Sequence, residues 1–401
     1  MSRRALIRKR CTSCGATIPD KICPKGHRRS TWSFTVDVNP SGAPRKQLTR
    51  SGFSTKVEAQ RALDEFKIAS SRGEYVEPSR LTVGAYIDER WIPAVQARLR
   101  PSTFESYQRN LRLHVLPRIG DVRLQALQPT DLNALYAHLL KSGRRNGPGG
   151  GLSGRTVRYV HSILRKALSD AECWSLVVRN VADLADPPPT RSTRPPKMHT
   201  WTSDEVRAFL GHVRRDRLVA MWVMFVTTGM RRGEVLGLSW SETNLDRGDV
   251  SIIEARVTVG HDVVVSEPKT PRSRRRIAID PQTVVVLRDW RKLQLEDRLR
   301  WGSSWQDCGL VFTREDGSAL HPDAVSGLFE RHIEAAGLPR IRLHDLRHTW
   351  ASLALQQGVP LKVVSERLGH SSISITADTY QHVTEGMDRD AADRVAQVLF
   401  R

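Results

Sequence analysis

The sequence predicts a mainly α, multidomain protein with small β-sheets, and three observations carry that prediction. Between Leu81 and about Asp186 apolar residues recur near every 3.6 positions, the period of helices that bury one face. Runs that alternate as strands do are short and few: TWSFTVDVN near the start and VSIIEARVTVGHDVVVSEPKTPRSRRRIAI in the second half. Between two helical regions lies DPPPTRSTRPPK, Asp186 to Lys197, whose five prolines keep a chain extended. At 401 residues there is room for two or three domains. The 63 Lys+Arg against 43 Asp+Glu leave a formal charge of +20, which favours a polyanionic partner. Composition alone does not separate DNA from RNA or from an anionic membrane.

Residues 1 to 50 hold 12 Lys+Arg and 2 Asp+Glu, so this basic arm contributes half of the excess charge. Within it, CTSCGATIPDKICPKGH sets Cys11, Cys14, Cys23 and His27 at a spacing compatible with a small structural zinc site. The second pair is wider than usual, and free thiols in a basic arm are the competing reading. Five unevenly spread cysteines do not make a disulfide framework. TWSFTVDVN then reads as a strand and STKVEAQRALDEFKIASSRG as an amphipathic helix capped near Ser54.

The next region contains LTVGAYIDERWIPAV, STFESYQRNLRLHVLPRIG, TDLNALYAHLLKSG and SGRTVRYVHSILRKALSDAECW, with Ser102 and Thr130 placed as caps. Four helices make a compact module. Arg98, Arg100, Arg109, Arg155, Arg158 and Lys166 offer phosphate contacts or ordinary surface charge. The glycine-rich Gly147 to Gly154 follows no strand and reads as a loop, not a nucleotide-binding turn.

After the linker, Thr202 and Glu205 form a capping box that opens a further domain near residue 198. MWVMFVTTG reads as a buried helix with core methionines, and Gly229 marks the turn that launches the next helix. Arg231 and Glu234 follow one helical turn apart, so the carboxylate can hold the arginine. The β-rich stretch divides into three runs, broken at Gly260-His261 and at Pro268 to Ser273. Ile252, Ile253, Val263 and Val265 read as sheet core, and Lys269 sits in the second turn. Arg272 and Arg274 to Arg276 either steady DNA or form a solvated rim.

LHDLRHTW then places His344 and Arg347 on one helix face, where guanidinium and imidazole together suit an anion such as phosphate. His348 is expected to point elsewhere and is given no role. Gly369-His370 follows, and Tyr380 comes ten residues after His370. A phenol with a pKa near 10 is a weak nucleophile unless a cationic setting and a base activate it.

TG-x-R-x-x-E, PKT in a β-hairpin, H-x-x-R, LGH and a final tyrosine, in that order over roughly 150 residues, give the chain its resemblance to the tyrosine recombinases of the phage-integrase kind. The resemblance implies an arm-binding β-sheet plus helix over 1–78 and a SAM-like helical core-binding domain over 79–185. A linker over 186–197 and an α+β catalytic domain over 198–401 would follow. It implies that Arg231 and Arg347 clamp the scissile phosphate, with Glu234 in support, and that Lys269 protonates the leaving 5′-oxygen. His344 and His370 would hydrogen-bond the phosphate, His344 also serving as base, and Tyr380 would form a 3′-phosphotyrosine. Such an enzyme needs no metal or ATP for catalysis, consistent with the lack of a G-x-x-x-x-G-K-[ST] loop and of H-E-x-x-H.

The implied function is site-specific integration or excision of a phage or mobile element. The implied partners are double-stranded DNA attachment sites, a homo-tetramer on DNA, an excisionase and a DNA-bending accessory protein. A type IB topoisomerase is the rival enzyme reading, and a non-catalytic DNA-binding protein the rival outside enzymes. No apolar run is long enough for a bilayer and no signal-peptide pattern opens the chain, so a cytoplasmic protein of a bacterial host is expected. QHVTEGMDRDAADRVAQVLFR ends in a short helix, with Ala391, Val395, Val398 and Leu399 near one face, that packs on a neighbouring protomer or on its own domain.

Overall fold

The computed structural model describes residues 5–18, 23–25, 27–37, 47–71, 75–144, 150–189, 199–266, 274–384, 393 and 395–400. It is mainly helical and divides into two compact units, residues 1–97 with 109–193 and residues 98–108 with 194–401.

The first unit begins with an antiparallel sheet of β1 (Ala5–Cys11), β2 (Ser30–Asp37) and β3 (Gln47–Phe53), with β2 in the middle. Strand alternation puts Phe34 and Val36 on the face covered by α1 (Lys56–Ser71), where they bury against Leu63 and Phe66. β1 breaks off its apolar start at Arg8 to Arg10 and β3 is mostly polar, on a sheet with one wet face, so β2 alone alternates clearly in the sequence.

Helix α2 starts at Val83–Ala85, passes through a π turn at Tyr86–Trp91 and ends in Ile92–Gln96. The wider π turn brings residues five apart onto one side. Tyr86 and Trp91 therefore both point inward, donating to the Ala167 carbonyl at 2.6 Å and to Asp170 Oδ2 at 2.8 Å. Helix α3 is built the same way, Pro101–Asn110 leading through a π turn at Leu111–Val115 into Leu116–Ile119, with residues up to 108 belonging to the second unit and the rest to the first. Helices α4 (Pro129–Ser142) and α5 (Gly154–Cys173) complete the module.

The caps differ from those the sequence suggests. Proline opens both α3 and α4, so Ser102 and Thr130 lie inside the first turns, and Gln128 with Asp131 caps α4. Arg158 donates to the Pro188 carbonyl at 2.6 Å and Lys166 pairs with Asp170 at 2.6 Å, so both serve the module itself.

In the second unit the Thr202–Glu205 capping box opens α6 (Ser203–His212). Helix α7 (Val219–Thr228) is the core of the unit: Met221, Trp222, Met224 and Phe225 are all buried. It leads through Gly229 into the short α8 (Arg232–Leu236). Among the described residues the β-rich stretch forms four strands, not three. β4 (Thr243–Asn244), β5 (Asp249–Ile252) and β8 (Arg275–Ala278) make one sheet, while β6 (Ala255–Val259) and β7 (Asp262–Ser266) make a separate hairpin.

The first run breaks between Ile252 and Ala255 because α8 seats on the backbone there. A Cβ on Gly233 would lie 2.6 Å from the Arg256 carbonyl, and one on Gly237 3.1 Å from that of Glu254. Ile253 and Val265 are exposed, since neither face of a lone hairpin is fully covered; Ile252 alone of the four expected core residues is fully buried. Helices α9 (Pro281–Trp301), α10 (Pro322–Ala335), α11 (Asp345–Gln356), α12 (Leu361–Leu368) and α13 (Ile373–Thr384) follow. Residues 190–197 of the expected 186–197 linker, the Pro268–Ser273 turn and Ala391 lie outside the described residues.

Candidate active site

Two glycines in the left-handed conformation organise the site. Gly229 ends α7 at φ 66° and Gly369 ends α12 at φ 65°. Helix ends leave carbonyls without intrahelical partners, and here arginines take them. Arg347 donates to the Gly229 carbonyl at 2.9 Å and to that of Leu368. Arg231 Nη2 donates to the Gly369 carbonyl at 3.3 Å. A Cβ on Gly229 would stand 2.9 Å from the Trp350 ring, so both backbone angle and space demand glycine.

Two guanidinium groups therefore converge on the consecutive carbonyls of Leu368 and Gly369, and like charges so placed repel. Glu234 offsets this. Its Oε1 accepts from Arg231 Nη1 at 2.8 Å and Arg275 Nη1 at 3.1 Å, and its Oε2 from the Arg231 backbone at 2.8 Å and Arg275 Nη2 at 2.9 Å. Burial pushes the carboxyl upward, but Arg275 and Arg231 outweigh it and hold it at about 2. Burial and Arg231 both depress the Arg347 guanidinium's pKa, which marks a pocket short of negative charge.

Arg275 was one of four arginines read as DNA contacts or solvated rim. Its side chain is only 8% exposed, paired with Glu234, and its Nε donates to the Arg367 carbonyl at 2.6 Å. It is a buried strut. Arg276 stays at the rim, 3.8 Å from Asp249, and Arg272 lies outside the described residues, as does Lys269.

His344 is exposed at the start of α11, with Arg347 buried one turn on. The expectation that His348 points elsewhere is wrong, because residues four apart on a helix return to one face. The His344 and His348 ring centroids are 5.2 Å apart, and His348 Nδ1 lies 2.7 Å from Tyr380 Oη. Tyr380 is 1% exposed, packed with Ala351, Leu355, Val364 and Leu368. Burial pushes its phenol above the ordinary range, while Arg347 draws it down in part. His370 spends Nδ1 on Thr376 Oγ1 at 2.7 Å, leaving Nε2 for a ligand; burial, Arg347 and Arg231 lower it to about 4, so it is neutral at pH 7.

A second cluster stands apart, in the arm sheet. Cys11 ends β1 opposite Ser30, and the loop between them folds Cys14, Cys23 and His27 back so that all four ligand atoms lie within 4.8 Å of one another. Cys11 Sγ is 3.4 Å from His27 Nδ1, Cys14 Sγ 3.5 Å from Cys23 Sγ, and Cys23 Sγ 3.8 Å from His27 Nδ1. Zn–S bonds of about 2.3 Å and Zn–N bonds of about 2.1 Å give tetrahedral edges of about 3.5–3.8 Å. Burial raises the Cys11 thiol, but hydrogen bonds from the Cys14 and Ser13 backbone prevail and bring it to about 6. These four residues fit a metal ion.

The Phage integrase family profile matches residues 200–387, its N-terminal SAM-like domain 86–140, and an Arm DNA-binding domain 25–69. The tyrosine recombinase XerC-like protein of Caldanaerobacter subterraneus is 25% identical over 378 residues, covering 90% of this chain and 95% of its own. An integrase of Streptomyces ambofaciens is 27% identical over 365 residues, covering 88% and 90%. Among solved structures, the Tn1549 transposon integrase in complex with transposon right end DNA has a TM-score of 0.62 at 18% identity, covering 79% of this chain and 99% of that one. A lambda integrase tetramer bound to a Holliday junction has a TM-score of 0.54 at 15% identity, covering 86% and 91%. With its three family segments in order and its two arginines, two histidines and tyrosine gathered at one place, the chain belongs to the phage integrase family of tyrosine recombinases, enzymes that cleave and rejoin DNA.

Proposed function

We propose that this enzyme integrates or excises a phage or mobile element by recombining two short DNA attachment sites through a 3′-phosphotyrosine. The observation that carries the reading is the convergence of Arg231 and Arg347 on the Leu368 and Gly369 carbonyls, beside His370 and Tyr380. A phosphodiester in transfer gathers negative charge on its non-bridging oxygens, and each preorganised donor to that charge contributes about 100- to 1000-fold in rate. In this reading Arg231 and Arg347 hold the phosphate, His344 and His370 bond to it, Tyr380 attacks, and Lys269 gives a proton to the leaving 5′-oxygen. Glu234 keeps Arg231 aimed. The energy of the broken bond stays in the phosphotyrosine, so rejoining needs no ATP.

The working division is an arm-binding domain (1–78), a core-binding domain (79–185), a linker (186–197) and a catalytic domain (198–401). Double-stranded attachment DNA is the substrate and a homo-tetramer on DNA the active assembly. The exposure of Val395, Val398, Leu399 and Phe400 supports a C-terminal contact between protomers. An excisionase and a DNA-bending protein are the expected accessories, and the bacterial cytoplasm the place of action. Among the described residues no helix is long and apolar enough to cross a membrane.

The Cys11, Cys14, Cys23 and His27 cluster holds a structural zinc ion in this reading, closing the β1–β2 loop where the sheet's hydrophobic cluster does not reach. Protein purified without chelators is expected to carry close to one equivalent of zinc, and the Cys14→Ser variant much less. Under a tenth of an equivalent in the wild type rejects the assignment.

The functional test incubates the protein with sheared DNA of the source organism, denatures quickly and sequences whatever stays covalently attached. Adducts concentrated at one or two sequences support a site-specific recombinase. Scattered adducts, with relaxation of supercoiled DNA and no exchange between two captured sites, point to a topoisomerase instead.

A further inference from the structure

A buried phenol needs an acceptor for its O–H, since an unpaired polar group away from water costs about 1–3 kcal/mol. Among the described residues the group that meets Tyr380 Oη is Nδ1 of His348, at 2.7 Å. His344, one turn earlier, reaches the His348 ring but makes no hydrogen bond to the phenol. An Nδ1–H on His348 would leave the phenol's hydrogen without a partner, so Tyr380 donates and Nδ1 receives.

We infer that His348 is a catalytic residue of the strand-cleavage step, the general base that takes the Tyr380 proton. This rests on the reading of Tyr380 as nucleophile. The base moves from His344, which the sequence suggested, to the residue in contact with the reacting oxygen. In the step, the Tyr380 O–H bond breaks and its proton passes to His348 Nδ1. The phenolic oxygen bonds to phosphorus, the bond to the 5′-oxygen breaks, and a general acid protonates that leaving group. His348 returns the proton when the freed 5′-hydroxyl of the partner strand attacks and Tyr380 leaves.

The surroundings of His348 account for a base that stays idle without DNA. Burial holds its imidazole at about 4, aided by His344, Arg347 and Arg342 and opposed by Asp345; His370 faces it from the turn after α12 and the Tyr380 phenol from α13. A neutral base beside a protonated phenol is the resting state. A bound phosphate brings negative charge beside Arg347 and raises the basicity of His348 at the moment it is needed.

The test measures single-turnover adduct formation, with protein in excess, on a nicked duplex carrying the site captured by the wild type. His348→Ala and His348→Gln are each expected to bind this duplex within threefold of wild type and to form adduct about 100- to 10,000-fold more slowly. Their rate should rise close to tenfold per pH unit between pH 6 and 9, because the phenol must then ionise unaided, while the wild type is nearly flat. Added imidazole should partly restore His348→Ala. A 5′-bridging sulfur, which leaves without a proton, should not restore it.

Adduct rates within threefold of wild type in both variants overturn the inference. So does rescue by the sulfur leaving group, which would make His348 the acid. A His344→Ala variant with the steep pH dependence in place of His348→Ala returns the base to His344. Adduct formation by Tyr380→Phe would defeat the underlying nucleophile assignment and is read separately.

Discussion

Tyr380→Phe is expected to bind attachment DNA as tightly as the wild type and to form no covalent adduct at all. The phenyl ring keeps the packing against Ala351, Leu355, Val364 and Leu368, so the fold is retained. What is lost is the one oxygen that can bond to phosphorus and its hydrogen bond to His348. Leaving the half-buried His348 nitrogen unmatched costs about 1–3 kcal/mol, less than the roughly 5–15 kcal/mol by which such a unit is stable. Denaturing gels after incubation with radiolabelled duplex, alongside gel-shift titration, give both quantities. An adduct that survives the change removes Tyr380 from the nucleophile's role.

The second large effect is on stability as well as rate. Glu234→Ala removes the carboxylate that bridges Arg231 and Arg275, and the buried Arg275 loses its ion pair with it. Breaking a buried pair from one side typically costs about 3–5 kcal/mol. For a unit of about 200 residues that lowers Tm by roughly 6–20 °C. Arg231 loses its aim at the same time, so adduct formation should fall on the order of 100-fold at temperatures where the variant is folded.

The sign of the pH effect follows from the depressed carboxyl. Glu234 sits at about 2 in the folded state against 4.5 unfolded, so its contribution is complete above about 5 and is lost as pH falls toward 2. The Glu234→Gln variant should therefore lose less stability than the wild type over that interval. A Glu234→Ala/Arg275→Leu double variant should recover part of the lost stability, since the buried guanidinium is removed together with its carboxylate, and should stay inactive. Calorimetric melting of the single variant within 1 °C of wild type at pH 7 would show that the bridge carries no net energy.

Much of the site was legible in the sequence because its chemistry sits in short, regular spacings. Arg231 and Glu234 lie one turn apart, as do His344 and Arg347, and a helix turns such pairs to one face whatever surrounds it. Gly229 was legible as the turn between two helices, whereas Gly369 carried no such reading; both take the left-handed angle that only glycine adopts freely. The same rule places His348, four residues after His344, on that face.

Arg275 had no such signal. It is one of four arginines among residues 272 to 276, and nothing local distinguishes it from Arg274 or Arg276. The strands posed the same problem in another form. Val250 to Val259 reads as one β-run, yet Ile252 pairs with Arg275 in one sheet and Ala255 with Ser266 in another.

By itself, then, the sequence determined the inventory: a basic, multidomain, mainly helical chain carrying two arginines, two histidines and a tyrosine in helical register, with three cysteines and a histidine grouped near its start. Tertiary structure alone decided which members of that inventory touch. It chose Arg275 over its neighbours as the partner of Glu234, His348 over His344 as the contact of Tyr380, and the end of β1 as the place where the four metal-ligating side chains meet. The physical reason is that spacing along a helix fixes only which residues share a face, whereas a hydrogen bond or a metal site depends on what a distant segment, brought in by burial of apolar surface, presents to that face.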